Sequence, residues 1–497
     1  MKRKKYISTT IIFLTGLFFL MLPTACHKDL DVDYLNQPDV DKIYSDPENI
    51  YNITADGFFN WFMTMNSSIS PRMAMWVAAD QGTCSWANSG MYHLSDEPRR
   101  PFNNDVSYTY ASTFSTYYSG LYTSLKRMNN VLKKLDEGMI IGNNGKDTKL
   151  VRSFAHFIQG LSLGYLGLVY DQAVIVTENV DPYTAKLSPY QTVLDSAIVC
   201  LEKSIDVAAH ANFKVPETWI NGYKYDEDEL IELAKSFIVR FKVYGARNKA
   251  QNDAIDWQKV LDLANEGIQK GLEPYMDNIR WFCYYKHYTT SRDGWARIDS
   301  RIIHLMDPNY PSRFPADGHN PAPAVSDDAR LQTDFGFAAS NNMKPERGYV
   351  HYSNYEFKRY SYTTSSSNPG PVSSFPLAEN DLFKAEAHAR LGHLADAINI
   401  VNAGTRVTRG HLSPLPMDAS KEEILKAIFY ERDIELIQTG FGNDFFDMRR
   451  RDYLQEGTPL HFPVPARELE VMQLPLYTFG GVAHADGINT SNGGWDK

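Results

Sequence analysis

The chain has 497 residues and a formal net charge of −10. That length is ample for a large core and leaves room for two subdomains, while the acidic balance argues against a nucleic-acid partner, which needs a basic stripe. Aromatic residues make up 13% of the chain, with 30 Tyr and 8 Trp; helix packing accounts for most of them, and the surplus points to rings that keep one edge in water.

The N-terminus carries a cationic stretch, Lys2-Arg3-Lys4-Lys5, then an apolar run from Ile11 to Leu22 that only Thr15 and Gly16 interrupt. Pro23-Thr24-Ala25-Cys26 follows, with small residues just before a cysteine. This order is that of a cleavable secretory leader over residues 1–25. The apolar run is shorter than the roughly 20 residues a membrane-spanning helix needs. A cysteine directly after the cut offers its thiol to a diacylglyceryl group, so Cys26 is the expected lipidation site. The pattern resembles a bacterial lipobox, with Pro23 where leucine is usual; an ordinary leader with an incidental cysteine is the alternative. No other stretch is long and apolar enough to span a membrane, so the mature body, 26–497, is expected to be a soluble globule on a tether.

Helical signals dominate that body. Tyr117 to Leu135 and Leu150 to Tyr170 read as a pair joined by a loop rich in Gly and Asn, from Gly138 to Lys146. Ser188-Pro189 reads as an N-cap followed by proline at the first helical position. Val193, Leu194, Ala197, Ile198, Leu201 and Ile205 then repeat at helical spacing. Leu230 to Tyr244 is preceded by Asp226, Glu227, Asp228 and Glu229, which complement the helix dipole. Asp256 to Ile268 follows, with Gly271 as its stop. The clearest hairpin runs from Leu382 to Val401, turning at Leu391-Gly392, with Ala385, Ala387, Ala389, Ala395 and Ala397 at its contact face. Small residues there and Leu-Gly at the corner resemble a tetratricopeptide unit, and the remaining pairs read as degenerate hairpins of the same kind.

Two regions break this rhythm. Ser67 to Asn104 contains Pro71, Gly82, Gly90 and Pro98 among Trp76, Trp86 and Tyr92; Tyr275 to Ser374 is rich in Pro, Gly, Ser, Asn and aromatics. So long a stretch without helical period is uncommon unless it is functional or separately packed, and short strands with binding loops are expected there. The mature chain therefore divides into an N-terminal helical part (26–273), an irregular insertion (274–375) and a C-terminal helical part (376–497).

No enzyme signature stands out: there is no GxSxG elbow, P-loop, HExxH or GxGxxG. The His residues are scattered without metal-ligand spacing and no CxxC occurs, so neither a metal nor a cofactor is expected. Cys200, in an apolar helical stripe, reads as a buried free thiol.

The C-terminal third carries a recognisable series: Glu379, Ala385-Glu386-Ala387, Leu391-Gly392, Ala397, Asn402, Arg406, Arg409 and Gly410. Next come Glu431-Arg432-Asp433-Ile434-Glu435-Leu436, Phe446-Asp447-Met448-Arg449-Arg450 and Phe462-Pro463-Val464-Pro465. Near the N-terminus stand Leu30-Asp31-Val32 to Gln37-Pro38, Arg127-Met128-Asn129-Asn130, and Arg152-Ser153-Phe154 leading to Leu168-Val169-Tyr170. In this order the motifs resemble the SusD/RagB family over most of the mature chain. Thr439-Gly440-Phe441-Gly442-Asn443 departs from it, standing where the family usually has Glu-Gly and then an arginine. The resemblance implies a mainly α fold, a tetratricopeptide-like scaffold whose loop-rich, partly β insertions form the ligand-binding face. It also implies a Bacteroidota surface lipoprotein that binds nutrient ligands, usually glycans, over a SusC-like TonB-dependent outer-membrane transporter, and no catalysis. Lys28-Asp29 resembles a surface-export signal. Glu431, Arg432 and Glu435 lie within about one helical turn, and structural ion pairing is the expected role of these charges.

A sugar ring has apolar C–H faces and a polar rim, so its site wants flat aromatic faces with a few amide or carboxylate partners. In the irregular regions the candidates are Trp86 with Asn88, and Trp281, Tyr284, Tyr285 and Trp295; core packing is the alternative for each ring, and the favoured one for Trp76. Cys84 lies two residues before Trp86 and Cys283 two after Trp281. A disulfide between them would bring the two loops together; two unrelated thiols is the other reading. A peptide ligand, as for RagB-type relatives, and a surface glycoside hydrolase remain alternative functions. Metabolic labelling with a fatty-acid analogue is expected to mark the wild-type chain and to fail in Cys26→Ala; equal labelling of the two would refute the anchor.

Overall fold

The computed structural model describes residues 40–84, 88–291, 296–340, 352–361, 369–486 and 489–496. The leader and Cys26 lie outside them. The chain divides into two units, 1–43 and 44–497. Of the first, only the helical turn Val40–Ile43 is described; every other described element belongs to the second. No helix among the described residues is long and apolar enough to cross a membrane.

Helix α1 (Pro47–Ala55) starts where the Asp46 side chain accepts from the Glu48 amide. It leads into α2 (Gly57–Asn66) and α3 (Arg72–Ala78); every residue of α3 is buried. A short strand, β1 (Gly82–Cys84), and α4 (Met91–Ser95) follow. The long pair α5 (Ser112–Asp136) and α6 (Thr148–Val169) comes next, packed on each other as the hydrophobic spacing predicts. Strands β2 (Gln172–Val174) and β3 (Leu187–Pro189) then lead to α7 (Tyr190–Ala209). Pro189 is the N-cap of α7 rather than its first helical residue, because Ser188 and Pro189 are taken up in the β2–β3 ladder. Helix α8 (Glu227–Tyr244) has a capping box in which Asp226 and Glu229 satisfy each other's amides.

Helix α6 is the centre of this part, with nearly its whole length buried. Helices α7 and α8 both pack on it, and they approach closely because glycines face them. A Cβ on Gly160 would lie 2.7 Å from Leu201 Cγ and one on Gly164 2.0 Å from Phe241 Cζ. Cys200 is a buried free thiol in α7, and burial pushes it up to about 12.

After α9 (Lys249–Asp253) and α10 (Trp257–Asn265) the chain enters the stretch expected to be irregular. It holds short strands and short helices: β4 (Tyr275–Met276), α11 (Tyr284–Ser291), β5 (Ala296–Ile298), α12 (Ser300–Met306), α13 (Arg330–Thr333), β6 (Phe335–Phe337), β7 (Tyr355–Phe357) and β8 (Gly370–Pro371). The strands form two-stranded antiparallel pairs: β1–β5, β4–β8 and β6–β7. Helices α14 (Leu377–Leu391) and α15 (Leu394–Ala403) are the predicted hairpin, with Gly392 left-handed at the corner (φ 87°). Ala385, Ala387, Ala389 and Ala397 are buried as expected, whereas Ala395 is exposed; it sits two residues before Ala397, so it turns away from the contact. Helix α14 also packs on α10 and on α17 (Lys421–Glu435), which follows the turn α16 (Thr405–Thr408). Helix α18 (Asn443–Arg450) and α19 (Ala466–Val471) complete the body.

Buried arginines join these parts. Glu431 and Glu435, one turn apart on α17, both face Arg330 of α13, which also holds Asp328. The Arg330 side chain is fully enclosed. Glu435 is met as well by Arg359 at 2.8 Å and Arg409 at 3.0 Å, and Asp433 by Arg301 at 3.3 Å. Arg432, between Glu431 and Glu435 in sequence, reaches Glu386 of α14. Glu386 also takes both terminal nitrogens of Arg450 (2.8 and 2.7 Å). Burial pushes the Glu386 carboxyl up, but Arg450, Arg432 and Arg390 outweigh it and hold the group well below the usual range. Arg240 pairs with Glu379 at 2.5 Å, and Asn443 donates to the same carboxylate at 3.0 Å from the start of α18. The departure at 439–443 thus supplies an amide to a carboxylate already paired with arginine. The charges of the Glu-Arg-x-x-Glu motif are structural, and the chain is mainly helical with few short strands. Replacing Arg330 by Met leaves Asp328 and Glu431 buried without their partner; a loss of about 3–5 kcal/mol is expected, read as a lower urea midpoint and faster proteolysis within 296–361.

Candidate ligand-binding site

The two irregular regions meet at the β1–β5 ladder. Gly82 pairs with Ile298, Thr83 with Arg297 and Cys84 with Ala296. The ladder is anchored by Asp80, a buried residue with positive φ (47°) at the turn before β1. Its carboxylate accepts from Arg99 at 2.6 Å, Gln455 at 2.9 Å and the Trp495 indole at 2.8 Å. Its carbonyl accepts from Arg301 at the start of α12. Gly82 is required because the Trp76 ring lies across it: a Cβ there would be 1.7 Å from Trp76 Cζ2. Trp76 is therefore core, as its apolar neighbours predict, and Tyr285 meets it edge-on at 6.2 Å.

Helix α11 lies beside β5 and sorts its residues by helical geometry. Tyr285, Lys286 and Thr289 point inward and are buried, while Tyr284, His287 and Tyr288 share the outer side. Outside, Tyr284 and Tyr288 are stacked at 6.2 Å, and Phe282 reaches Tyr284 at 4.4 Å and His287 at 5.5 Å. Inside, the Arg72 guanidinium sits 4.0 Å over the Tyr285 ring. Just upstream, the Asp277 carboxylate accepts from the amides of Ile279, Arg280 and Trp281, turning Trp281 inward against Phe58, Phe59 and Phe62.

The expected ligand residues are thus divided. Tyr284 is at the surface, 36% exposed. Trp281 and Tyr285 are each only 3% exposed and belong to the core, which corrects their reading as ligand contacts: both lie on the inward side of their turn. Trp86 and Trp295 lie outside the described residues, as does the side chain of Asn88, whose backbone starts the turn 88–90. Cys283 is a buried free thiol that donates to Asn66 Oδ1 at 3.2 Å, so in this structure it is not bridged to Cys84. Strand pairing, not a disulfide, brings the two loops together.

A second aromatic group lies beside the 88–90 turn. The His93 Nδ1 is 2.7 Å from the Tyr108 hydroxyl. Tyr92, Tyr108 and Tyr110 all have ring centroids within 6.2 Å of His93. Burial pushes the Tyr108 phenol up to about 12, with Tyr110 adding to it, so its hydroxyl keeps a proton to donate. Gly90 has positive φ (75°), and a Cβ there would be 3.0 Å from that hydroxyl, which fixes the turn against the ring. Tyr108 also borders a groove of about 490 Å³ lined by Asn103, Ser112, Ser115, Arg467 and Glu470. An adjoining cleft of about 160 Å³ reaches His93 and Arg100. Flat rings beside an amide, hydroxyls and charges of both signs suit a polyhydroxylated ligand. Composition and spacing do not single out this group; Tyr108-Thr109-Tyr110, two rings at alternate positions in a loop, is the signal that could have marked it.

The two kinds of ring are separable by experiment. Trp281→Ala is expected to cost about 3–5 kcal/mol through lost packing. Tyr284→Ala is expected to stay within about 0.5 kcal/mol of wild type in chemical denaturation.

The model of the SusD family matches residues 211–461, while no curated protein matches the chain. Among solved structures, a SusD superfamily protein from Parabacteroides distasonis is 13% identical with a TM-score of 0.61, over 85% of this chain and 97% of its own. A surface glycan-binding protein A from Bacteroides uniformis is 15% identical with a TM-score of 0.58, over 86% and 98%. A SusD-like carbohydrate binding protein from Bacteroides vulgatus is 18% identical with a TM-score of 0.56, over 81% and 83%. At these identities the likeness is one of fold, and the family match spans half the sequence and contains the α14–α17 motifs. The chain belongs to the SusD family.

Proposed function

We propose that this chain is a lipid-anchored protein of the outer-membrane surface that captures oligosaccharide for import by a SusC-like TonB-dependent transporter. We assign its ligand edge to the Cys84–Ala296 end of the β1–β5 ladder. The observation that carries this reading is the pairing of Cys84 with Ala296. Trp86 follows Cys84 by two residues and Trp295 immediately precedes Ala296 in the sequence, which supports assigning the two tryptophans to one site. We assign the sugar faces to Trp86 and Trp295, with Asn88 as a polar partner and the Tyr92, His93, Tyr108 and Tyr110 group flanking the turn. Tyr284 offers a further exposed ring on α11, while Trp281 and Tyr285 support the site from the core.

The role is capture without turnover. The carboxylates of the most charged motif, Glu431 and Glu435, are committed to arginines, and the names of the glycan-binding structural relatives describe binding. The anchor at Cys26 and the transporter partnership rest on the leader pattern and the family.

Calorimetry of the mature chain against α- and β-glucan, mannan and galactan oligosaccharides, with peptides as the comparison, tests the reading. One glycan class is expected to bind without hydrolysis. Trp86→Ala and Trp295→Ala should each weaken it about tenfold or more, equivalent to about 1.4 kcal/mol. Peptide binding alone, turnover of a glycan, or unchanged affinity in both variants would reject it.

A further inference from the structure

We infer that the corner between α14 and α15 is a binding site for a divalent first-row transition ion of the Zn²⁺ type, held by His388, His393 and Asp396. The site rests on side-chain geometry that the fold creates. The Nδ1 atoms of His388 and His393 are 3.4 Å apart, Asp396 Oδ2 is 3.9 Å from His388 Nδ1, and one ligand atom from each residue lies within 4.8 Å of the others. Tetrahedral zinc with bonds of about 2.0–2.1 Å to nitrogen sets its ligand atoms about 3.3–3.4 Å apart. The two imidazoles already stand at that separation, and the carboxylate has about half an ångström to close on His388.

The turn itself holds these donors. The His393 amide donates to the His388 carbonyl at 2.9 Å, the six-to-one bond of a Schellman ending made possible by left-handed Gly392. The residues carrying the two imidazoles are therefore tied to each other through the backbone. His393 then caps α15, and the Ala397 amide donates to its carbonyl at 3.2 Å, which brings Asp396 round in the first turn of that helix. His388 is half-buried at the carbonyl end of α14, where the helix dipole favours a cation.

Two imidazoles and one carboxylate favour zinc, cobalt, nickel or copper over the harder calcium and magnesium, which prefer oxygen ligands. His393 and Asp396 are exposed, which leaves the fourth position to water. The spacing His388-x4-His393-x2-Asp396 crosses a helix corner, so it matches no motif read on one helix face. An ion here would pin the hairpin whose first helix carries Glu379 and Glu386.

The test uses the mature chain without a polyhistidine tag. Titration with ZnCl2 is expected to show one site, and Co²⁺ to give the visible absorption of a tetrahedral centre. His388→Ala and His393→Ala should each weaken Zn²⁺ binding at least tenfold and abolish the cobalt spectrum; Asp396→Asn should weaken it less. Zn²⁺ should raise the melting temperature of the wild type but not of the His388→Ala/His393→Ala chain. The exposed His319→Ala serves as a control and should bind as wild type does. Undiminished Zn²⁺ affinity in the double variant, no binding by the wild type, or equal affinity for Ca²⁺ would overturn the assignment.

Discussion

Arg330 has no path to water, and its guanidinium cannot shed its charge, so wherever α13 settles, carboxylates must already be waiting. They come from Asp328 beside it and from Glu431 and Glu435 across the interface. This requirement fixes the insertion against α17 in one register. A hydrophobic surface could slide by a residue with little penalty, but a fork of nitrogens facing carboxylates cannot. Arg301 and Arg359 repeat the arrangement from other points of the insertion, on Asp433 and Glu435. Arg432 ties α17 to Glu386 of α14, and through Arg450 to α18. The loop-rich part therefore has the rigidity of the scaffold at these points, although its own secondary structure is scant.

Much of the scaffold was legible because its signals are local. The spacing of Val193, Leu194, Ala197 and Leu201 needs only the α-helical period to be read, and all four are buried. Asp226 with Glu229 and the Leu391-Gly392 corner are likewise complete within a few residues. Ser188-Pro189 misled by one position because a tertiary feature, pairing with β2, claimed those residues first. Ala395 misled because composition does not say which side of a helix a residue takes.

The sequence pointed to the two irregular regions that the β1–β5 ladder joins, and said less about which of their rings face outward. Trp281 and Tyr284 stand three residues apart in the same aromatic-rich stretch, yet one packs on three phenylalanines and the other faces outward. What decides between them is the Asp277 turn and the phase of α11, neither of which leaves a mark in residue type. The Tyr92, His93, Tyr108 and Tyr110 group was hidden for a different reason. Its members belong to two segments that only the folded chain joins, through a glycine whose missing side chain lets a phenol approach.

The β1–β5 ladder joins residues near the start of the folded body to others just past its middle. Such a pairing is costly in loop entropy and forms only once both ends are present. A protein threaded through an export channel from its N-terminus would deliver Gly82–Cys84 long before Ala296–Ile298. Until the later strand arrives, the edge that we assign to ligand has only half its frame. On the proposed function, ligand competence then becomes a late event in the molecule's biogenesis, since a product ending before Ala296 lacks the second strand of that frame.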